Sequence, residues 1–413
     1  MISLDWLIQA ITSRTVLEWV LVVGLTTVLT TDLMFIPLAF LSKYRLKKPI
    51  SLKSHPFVSV IVPAYNEEKT IETVIVTLLE QTYKEMEIVI VDDGSTDATQ
   101  QAVKPYAIQG KVRLISRPNG GKSAAINTGL AVAKGAIIVV VDADGIVQND
   151  AIAWLVSQFE KPEVSGVAGN IRVGNRVNIL TKCQALEYIR DIQIPRRAFD
   201  LLASVLVIPG PLGAFRKSAL AQVGTYDRDT VTEDFDATVK ILKSHVVINE
   251  PRAVAYTEAP TKLIDLYRQR RRWYGGMFQT LIKHRFFWWK FGVFTVIGVP
   301  YLFLTLLVAP VLELVATGVG ILQIALGEWR TVLLVFCVFA ILEGLTSALA
   351  LLLDDEKLNL AVLSPLYVLG YRQLLDIFRV LSYLNVVLGR MKWTSIARVG
   401  DLQKTAQSSV AKN

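Results

Sequence analysis

Residues 137–144 read IIVVVDAD. A run of β-branched residues, apolar at every position, ends in two aspartates spaced by one alanine. Without polar alternation the run predicts a buried central strand rather than a half-exposed one. Asp142 and Asp144 then lie at its carboxyl end, where open α/β sheets place their ligands. Two carboxylates there can share a hard divalent cation and hold it against a diphosphate. The plainer alternative is a solvated turn, since Asp and the following Gly145 favour turns.

The preceding sequence repeats the pattern. Val58–Val62 predicts a strand, followed by Pro63, Tyr65, Asn66 and Glu67 and a helix through Leu79. Glu87–Val91 is a second strand and ends in Asp92-Asp93-Gly94-Ser95. Asp97–Tyr106 is helical, and Val112–Ser116 is a third strand followed by Asn119-Gly120-Gly121-Lys122. Ala124–Ala133 is the helix that leads into the DAD strand. Strand–helix alternation implies a mostly parallel α/β sheet. Several strands end in polar residues at one edge, which makes a nucleotide-sized site with carboxylates on it.

Two look-alike motifs fail on their spacing. Gly121-Lys122-Ser123 resembles the tail of a phosphate-binding P-loop, but Ser116 stands where that loop needs its first glycine. Gly120 and Gly121 still allow close backbone approach, and Lys122 can still neutralise a phosphate. Against that stands an ordinary exposed lysine. DADG begins like a calcium loop, but Val147 and Ala153 occupy later ligand positions.

The chain has 413 residues, 52% of them hydrophobic, and a mean hydropathy of +0.42. That is too apolar for a soluble protein of this size and implies membrane spans. The net charge of +8 then marks cytoplasmic flanks rather than nucleic-acid binding. Cys183 and Cys337 lie far apart and give neither a disulfide framework nor zinc spacing. Met1–Ile11 is weakly amphipathic. Val16–Leu41 reads as an anchor that carries Glu18 and Asp32. A mid-helix carboxylate costs about 2.5–3.5 kcal/mol on insertion scales, so Asp32 should face protein or water. Lys43, Arg45, Lys47 and Lys48 place the next domain in the cytoplasm. Towards the C-terminus, Phe291–Leu326 is broken at Pro300 and Pro310, too long for one ordinary span and short for two. Val332–Leu353 is one good span. Leu358–Leu388 is apolar but carries Arg372, Gln373, Asp376 and Arg379, which should line a protein interior or a polar path. Arg390, Lys392 and Arg398 favour a cytoplasmic tail, hence an even number of later crossings. Either Phe291–Leu326 is a tight hairpin, or Leu358–Leu388 is interfacial or re-entrant. The domains are therefore 1–48 (membrane anchor), 55–285 (cytoplasmic α/β domain with interface helices), 286–390 (transmembrane region) and 391–413 (cytoplasmic tail).

The stretches Val60–Glu67 (VIVPAYNE), Val91–Ser95 (VDDGS), Asn119–Lys122 (NGGK) and Asp142–Asp144 resemble the nucleotide-sugar half of family 2 glycosyltransferases. Thr232-Glu233-Asp234 is similar to that family's TED motif. Gln269–Trp273 (QRRRW) is similar to the Q-x-x-R-W signature of its processive, membrane-embedded polysaccharide synthases. The resemblance spans Val58 to about Trp273 in the family's order. It implies a GT-A (Rossmann-like) fold with flanking transmembrane helices, and inverting β-transfer from a UDP-sugar, UDP-N-acetylglucosamine before others. The product would be an exopolysaccharide passed across the plasma membrane. It also implies a growing polysaccharide acceptor, a lipid bilayer and a small membrane accessory subunit as partners. Two other products stay open: a glycolipid made by single transfer, or a polymer of another sugar or linkage. A catalytically silent membrane scaffold would explain the spans but not the carboxylates.

Departing UDP carries about two negative charges, which need a cation and basic donors. Asp144, helped by Asp142, would hold Mg2+ or Mn2+. By resemblance, Asp93 would contact the uridine, with Pro63, Tyr65 and Glu67 lining its pocket and Lys122 and Glu233 beside the donor. Inversion needs one base for the acceptor hydroxyl, and Asp234 matches that role. The same residue could instead cap the helix that follows. Gln269 and Arg272 would lie at the diphosphate, and Trp273 would stack on the acceptor sugar. The apolar residues Leu263, Leu266, Tyr267, Tyr274, Met277, Phe278, Leu281 and Ile282 recur at helical spacing. That pattern also fits a basic amphipathic helix on the inner leaflet. Gln184–Phe199, basic at Arg190, Arg196 and Arg197, is a second candidate interface helix, or else an ordinary core helix.

Overall fold

The computed structural model describes residues 34–43, 52, 54–285 and 292–391. Met1–Ile11, most of Val16–Leu41 with Glu18 and Asp32, the basic residues Arg45, Lys47 and Lys48, and the tail beyond 391 lie outside the described residues. A short apolar helix, α1 (Met34–Lys43), is the first described element.

Eight strands form one sheet: β1 (Val58–Ala64), β2 (Met86–Asp92), β3 (Arg113–Ser116), β4 (Ile137–Val140), β5 (Ile146–Val147), β6 (Val164–Val173), β7 (Gly213–Arg216) and β8 (Val246–Thr257). Their order is β3-β2-β1-β4-β7-β6-β8-β5. The expectation of a mostly parallel sheet holds for four of the seven pairings, because β6 and β8 also run parallel. β3, β2, β1 and β4 are all parallel. β7 pairs antiparallel with both β4 and β6, and β5 pairs antiparallel with β8. The reason is a change of pattern after the DAD strand. The chain there leaves the strict strand–helix alternation that forces parallel crossovers.

The parallel half is built as the periodicity implied. Every residue of β1 and β4 is buried, as their unbroken apolar runs require. The helices α2 (Ile71–Leu79), α3 (Thr99–Ile108) and α4 (Lys122–Val132) cross between its strands. β1, β2 and β4 all deliver their carboxyl ends to one edge, and the order reverses between β1 and β4. After β4 come α5 (Ala151–Ser157) and α6 (Ile179–Glu187), whose Asn178 accepts from Thr181 N–H as an N-cap. A π-helical turn, Tyr188–Gln193, joins α6 to α7 (Ile194–Leu201). The segment is helical as expected, but it is no interface helix with a solvated basic face. Arg190, Arg196 and Arg197 are 4%, 7% and 5% exposed.

Beyond the short helix Lys217–Gln222, the domain holds α8 (Glu233–Leu242) and α9 (Leu263–Lys283). On α9 the arginines divide: Arg270 is fully buried, Arg268 is exposed, and Arg271 and Arg272 are half-buried. Helical spacing explains this: Leu266, Arg270 and Tyr274 recur at i, i+4 and share the buried face.

Phe294–Ala325 is one continuous helix, α10, so the hairpin alternative is excluded. Its two prolines are absorbed by π-turns at Phe294–Gly298 and Leu304–Val308, each just ahead of a proline. Proline deletes an i−4 hydrogen bond, and a widened turn is one way to carry that loss without breaking the helix. Trp329–Leu353 is α11, and α10 and α11 are the two described helices long and apolar enough to cross a membrane. Leu358–Leu388 is not a single span. The backbone breaks at Leu369 and Gly370, and only α12 (Arg372–Val387) continues as a regular helix. At 1.5 Å per residue it falls short of a hydrocarbon core of about 30 Å. It packs instead against α9 and α10.

α9 seats against the loop before α8 at a glycine. A Cβ on Gly276 would lie 2.5 Å from the Thr232 hydroxyl, with the Thr232 methyl 2.6 Å away. Gly276→Val should cost about 1–3 kcal/mol by overpacking. Thermal unfolding in detergent would check it, and a wild-type midpoint would mean the two elements separate freely.

Candidate active site

The edge where β1, β2 and β4 end is built by loops that hold one another. After β1, the Asn66 side-chain oxygen accepts from Thr96 N–H at 2.8 Å, and Glu67 N–H donates to the Thr99 hydroxyl at 2.8 Å. Pro63 is buried, and Tyr65 and Glu67 are half-buried at the rim. The Thr70 hydroxyl donates to the Ala143 carbonyl at 2.8 Å, which ties the DAD turn to the loop after β1.

Asp93 follows β2 and is 3% exposed. It accepts from Gly121 N–H at 2.7 Å and Gly120 N–H at 3.1 Å, and it pairs with Arg117. The sequence reading gave Asp93 to a uridine. In the structure it first anchors the Asn119–Lys122 loop, and Arg117 is a partner that no motif flagged.

Lys122 is no free surface lysine. Its Nζ lies 2.6 Å from Asp142 Oδ1 and 2.9 Å from Glu233 Oε1. A Cβ on Gly210 would come within 2.8 Å of that ammonium, so a side chain there would require the lysine tip to shift. Burial pushes the Lys122 pKa down, but Asp142, Glu233 and Asp234 outweigh it, and the net shift is upward. Lys122 is therefore a fixed positive charge linking the end of β4 to the start of α8.

Asp234 sits on the first turn of α8, after Thr232 at the N-cap. Its Oδ1 accepts from Phe235 N–H at 2.8 Å and its Oδ2 from Gly210 N–H at 3.1 Å. The carboxylate thus supports the helix start and also contacts the loop Pro209–Gly213. Asp234 is half-buried. Burial and then the Glu233 charge raise its pKa to about 6, against the pull of Lys122 and the two N–H donors.

Asp144 is buried beside Asp142. The donors gathered at this edge are carboxylate oxygens, the ligand type that suits Mg2+ or Mn2+ and not softer metals. A different acidic group, Asp227, Asp229 and Asp236, also brings its oxygens within 4.8 Å of one another. Lys283 bridges all three at 2.7, 2.6 and 3.1 Å, which makes it an ion-pair cluster.

The Gln269–Trp273 segment reaches this edge through its aromatic neighbours. Arg270 Nη2 lies 2.8 Å from Glu187 Oε2, and the Arg270 guanidinium is 4.1 Å from the centre of the Trp273 ring. Tyr188 packs 6.0 Å from Trp273, centre to centre. The Tyr188 pKa is pushed up to about 12, first by burial, and Asp144 is among the charges that raise it. Gln269 is buried, while Arg272 and Trp273 stay half-buried. Arg270 and Tyr188 were not singled out as site residues, although Arg270 sits on the apolar stripe that the spacing defined.

Residues 59–224 match the family model for Glycosyl transferase family 2, and that block is a family 2 glycosyl transferase domain. The chain is similar to the poly-beta-1,6-N-acetyl-D-glucosamine synthase of Staphylococcus epidermidis, 32% identical over 234 residues, 56% of each chain. It is likewise similar to the synthase of that name from Staphylococcus aureus, 33% identical over 246 residues, 58% of this chain and 59% of that one. The chain thus spans a little over half the length of these relatives. A solved mannosyltransferase from Pyrobaculum calidifontis, in complex with GDP-Man and Mn2+, superposes with a TM-score of 0.66 at 22% identity. That match covers 91% of this chain and 100% of the other. The fold is therefore the GT-A glycosyltransferase fold, with a mixed sheet.

A base at position 234 works only when ionised. Turnover should therefore fall as pH drops through about 6. Glu233→Gln removes a like charge and should move that acid limb to lower pH. Asp234→Asn should slow turnover by about 10²–10⁴-fold, the range for a lost general base. A pH–rate profile checks all three, and an unmoved limb in the Glu233 variant would detach it from Asp234.

Proposed function

We propose that this protein is a membrane-integrated, processive, inverting β-glycosyltransferase that polymerises UDP-N-acetylglucosamine into an exopolysaccharide. The observation that carries the reading is the Lys122 bridge from Asp142 to Glu233. It places the DAD turn and the TED helix on either side of one ammonium. Donor diphosphate and acceptor hydroxyl need such an arrangement, with positive charge and metal-ligating oxygens on one side and a base on the other. The staphylococcal relatives, named for a poly-N-acetylglucosamine product, support the choice of sugar.

Asp144 and Asp142 would hold Mg2+ or Mn2+, which neutralises the charge that builds on the leaving diphosphate. Lys122 adds a second cation at the same end. Asp93 and its Gly120–Gly121 loop frame the nucleoside, with Pro63, Tyr65 and Glu67 on the opposite wall. Asp234 takes the proton of the attacking hydroxyl, and Gly210 N–H holds that carboxylate in place. Gln269 and Arg272 face the donor from α9, and Trp273 offers a flat apolar surface to the acceptor ring. Two crossings, α10 and α11, would return the chain to the cytoplasmic side of the plasma membrane. That agrees with the basic residues at Arg390, Lys392 and Arg398.

The test is to incubate the protein in lipid with each UDP-sugar and a divalent metal, then digest the product with linkage-specific hydrolases. A single-sugar lipid product would replace this reading by the glycolipid one. Activity should require Mn2+ or Mg2+ and vanish in Asp144→Asn, and full turnover in excess chelator would remove the metal from the account. Trp273→Ala should bind UDP as wild type does yet make no long polymer. UDP release and product length, followed in parallel, would check this. Long polymer at the wild-type rate would reduce Trp273 to a packing residue for Arg270.

A further inference from the structure

Arg196 is the one arginine of the Gln184–Phe199 segment that the fold buries without neutralising. Its Nη1 donates to the Gly169 carbonyl at 3.0 Å, and no carboxylate forms an ion pair with it among the described residues. Its neighbours differ. Arg190 pairs with Glu343, Arg197 with Asp354 at 3.0 Å, Arg172 with Asp354 at 3.0 Å and Arg270 with Glu187 at 2.8 Å. A buried charge without a partner is expensive, and an apolar side chain of that size would pack at lower cost. Burial pulls the Arg196 pKa down to about 10, with Asp234 as the opposing charge, so the guanidinium still carries its proton at neutral pH.

Its place is defined by backbone bonds. Gly169 N–H donates to the Leu212 carbonyl at 3.0 Å, Leu212 N–H to the Pro209 carbonyl at 3.3 Å, and Gly210 N–H to Asp234. A single loop thus separates the anchor of Arg196 from the candidate base. On its other side, Arg197 is fixed to Asp354, the residue that ends α11. Arg196 therefore lies between the base and the apolar helices.

We propose that Arg196 is an anion-binding residue of this site and takes a phosphoryl group on the membrane side of Asp234. The planar fork of a guanidinium matches two phosphate oxygens at once. Asp142, Glu233 and Asp234 otherwise confront an entering phosphate with three carboxylates against the one ammonium of Lys122. Two sources carry that chemistry: the diphosphate of the donor, or the phosphate of a lipid acceptor entering from the bilayer. The inference rests on the glycosyltransferase reading for its ligand, not for its charge.

The experiment uses the full chain in phosphatidylcholine vesicles, with Arg196→Met, Arg196→Lys and the control Arg197→Met. Titrations with UDP, uridine and inorganic pyrophosphate read the first source. Binding to vesicles with and without added polyprenyl phosphate reads the second. If the donor is the source, Arg196→Met weakens UDP and pyrophosphate at least tenfold, leaves uridine unchanged, and is partly rescued by lysine. If the acceptor is the source, UDP binding survives and the gain from polyprenyl phosphate is lost. Either result supports the assignment provided Arg197→Met does not reproduce it. Wild-type values for both probes in Arg196→Met would overturn it. Should that variant fail to fold, Arg196→Gln is read in the same assays with the same criteria. Failure of wild-type protein to bind UDP while it binds pyrophosphate would count against the glycosyltransferase reading and leave Arg196 standing.

Discussion

The ammonium of Lys122 between Asp142 and Glu233 is the contact on which the candidate site depends. Three carboxylates, with Asp234, crowd the end of a buried strand. Without a cation among them they would take up protons or push apart. Lys122 comes from the first turn of α4, whose entry loop is pinned by Asp93. The position of the cation is therefore set by β2, and the carboxylates it joins are set by β4 and α8. Four elements from distant parts of the chain meet at one charge. Gly210 leaves space beside it, since a Cβ there would come within 2.8 Å of the ammonium.

The second constraint lies between the domain and its apolar helices. Glu313 on α10 and Glu343 on α11 would each be costly in a hydrocarbon environment. Both are paired: Arg372 reaches Glu313 and Glu343, and Arg190 reaches Glu343. Arg190 belongs to the π-turn between α6 and α7, so the glycosyl transferase domain neutralises a charge that the helices carry. Charge pairing in a poorly solvated place selects one docking geometry, because the helices cannot slide without exposing an unpaired group.

Much of the parallel half was legible in the sequence, for a physical reason. Strands buried on both faces must be apolar throughout, and the polar residues that follow them must stand at one edge. Pro63, Asp93, Asp142 and Asp144 could be placed by that rule before any coordinates. The antiparallel pairings were not legible, since β5 and β7 are short and their pairing is decided by partners far away in sequence. The arginines show the limit more sharply. Arg190, Arg196, Arg197 and Arg270 were read as a basic face towards water and headgroups, the usual place for charge on a helix. For Arg270 the i, i+4 relation to Leu266 and Tyr274 already contradicted that reading. For Arg190 and Arg197 the carboxylates that neutralise them, Glu343 and Asp354, lie over a hundred residues further on, and no local pattern reveals such a partner.

These buried pairs also fix what the apolar helices can do to the site. Glu187 pairs with Arg270 and accepts from the Tyr371 hydroxyl at 2.6 Å, so one carboxylate joins α6, α9 and the segment before α12. Arg270 in turn lies against the Trp273 ring. A shift of α12 relative to the sheet would have to break the Tyr371 bond or drag Glu187. Either way Arg270 moves, and the indole moves with it. Because the protein interior is close-packed, such a change occurs as a step between two pairings and not as a gradual bend. The surroundings of Trp273 are thus tied, through Arg270 and Glu187, to the segment that precedes α12.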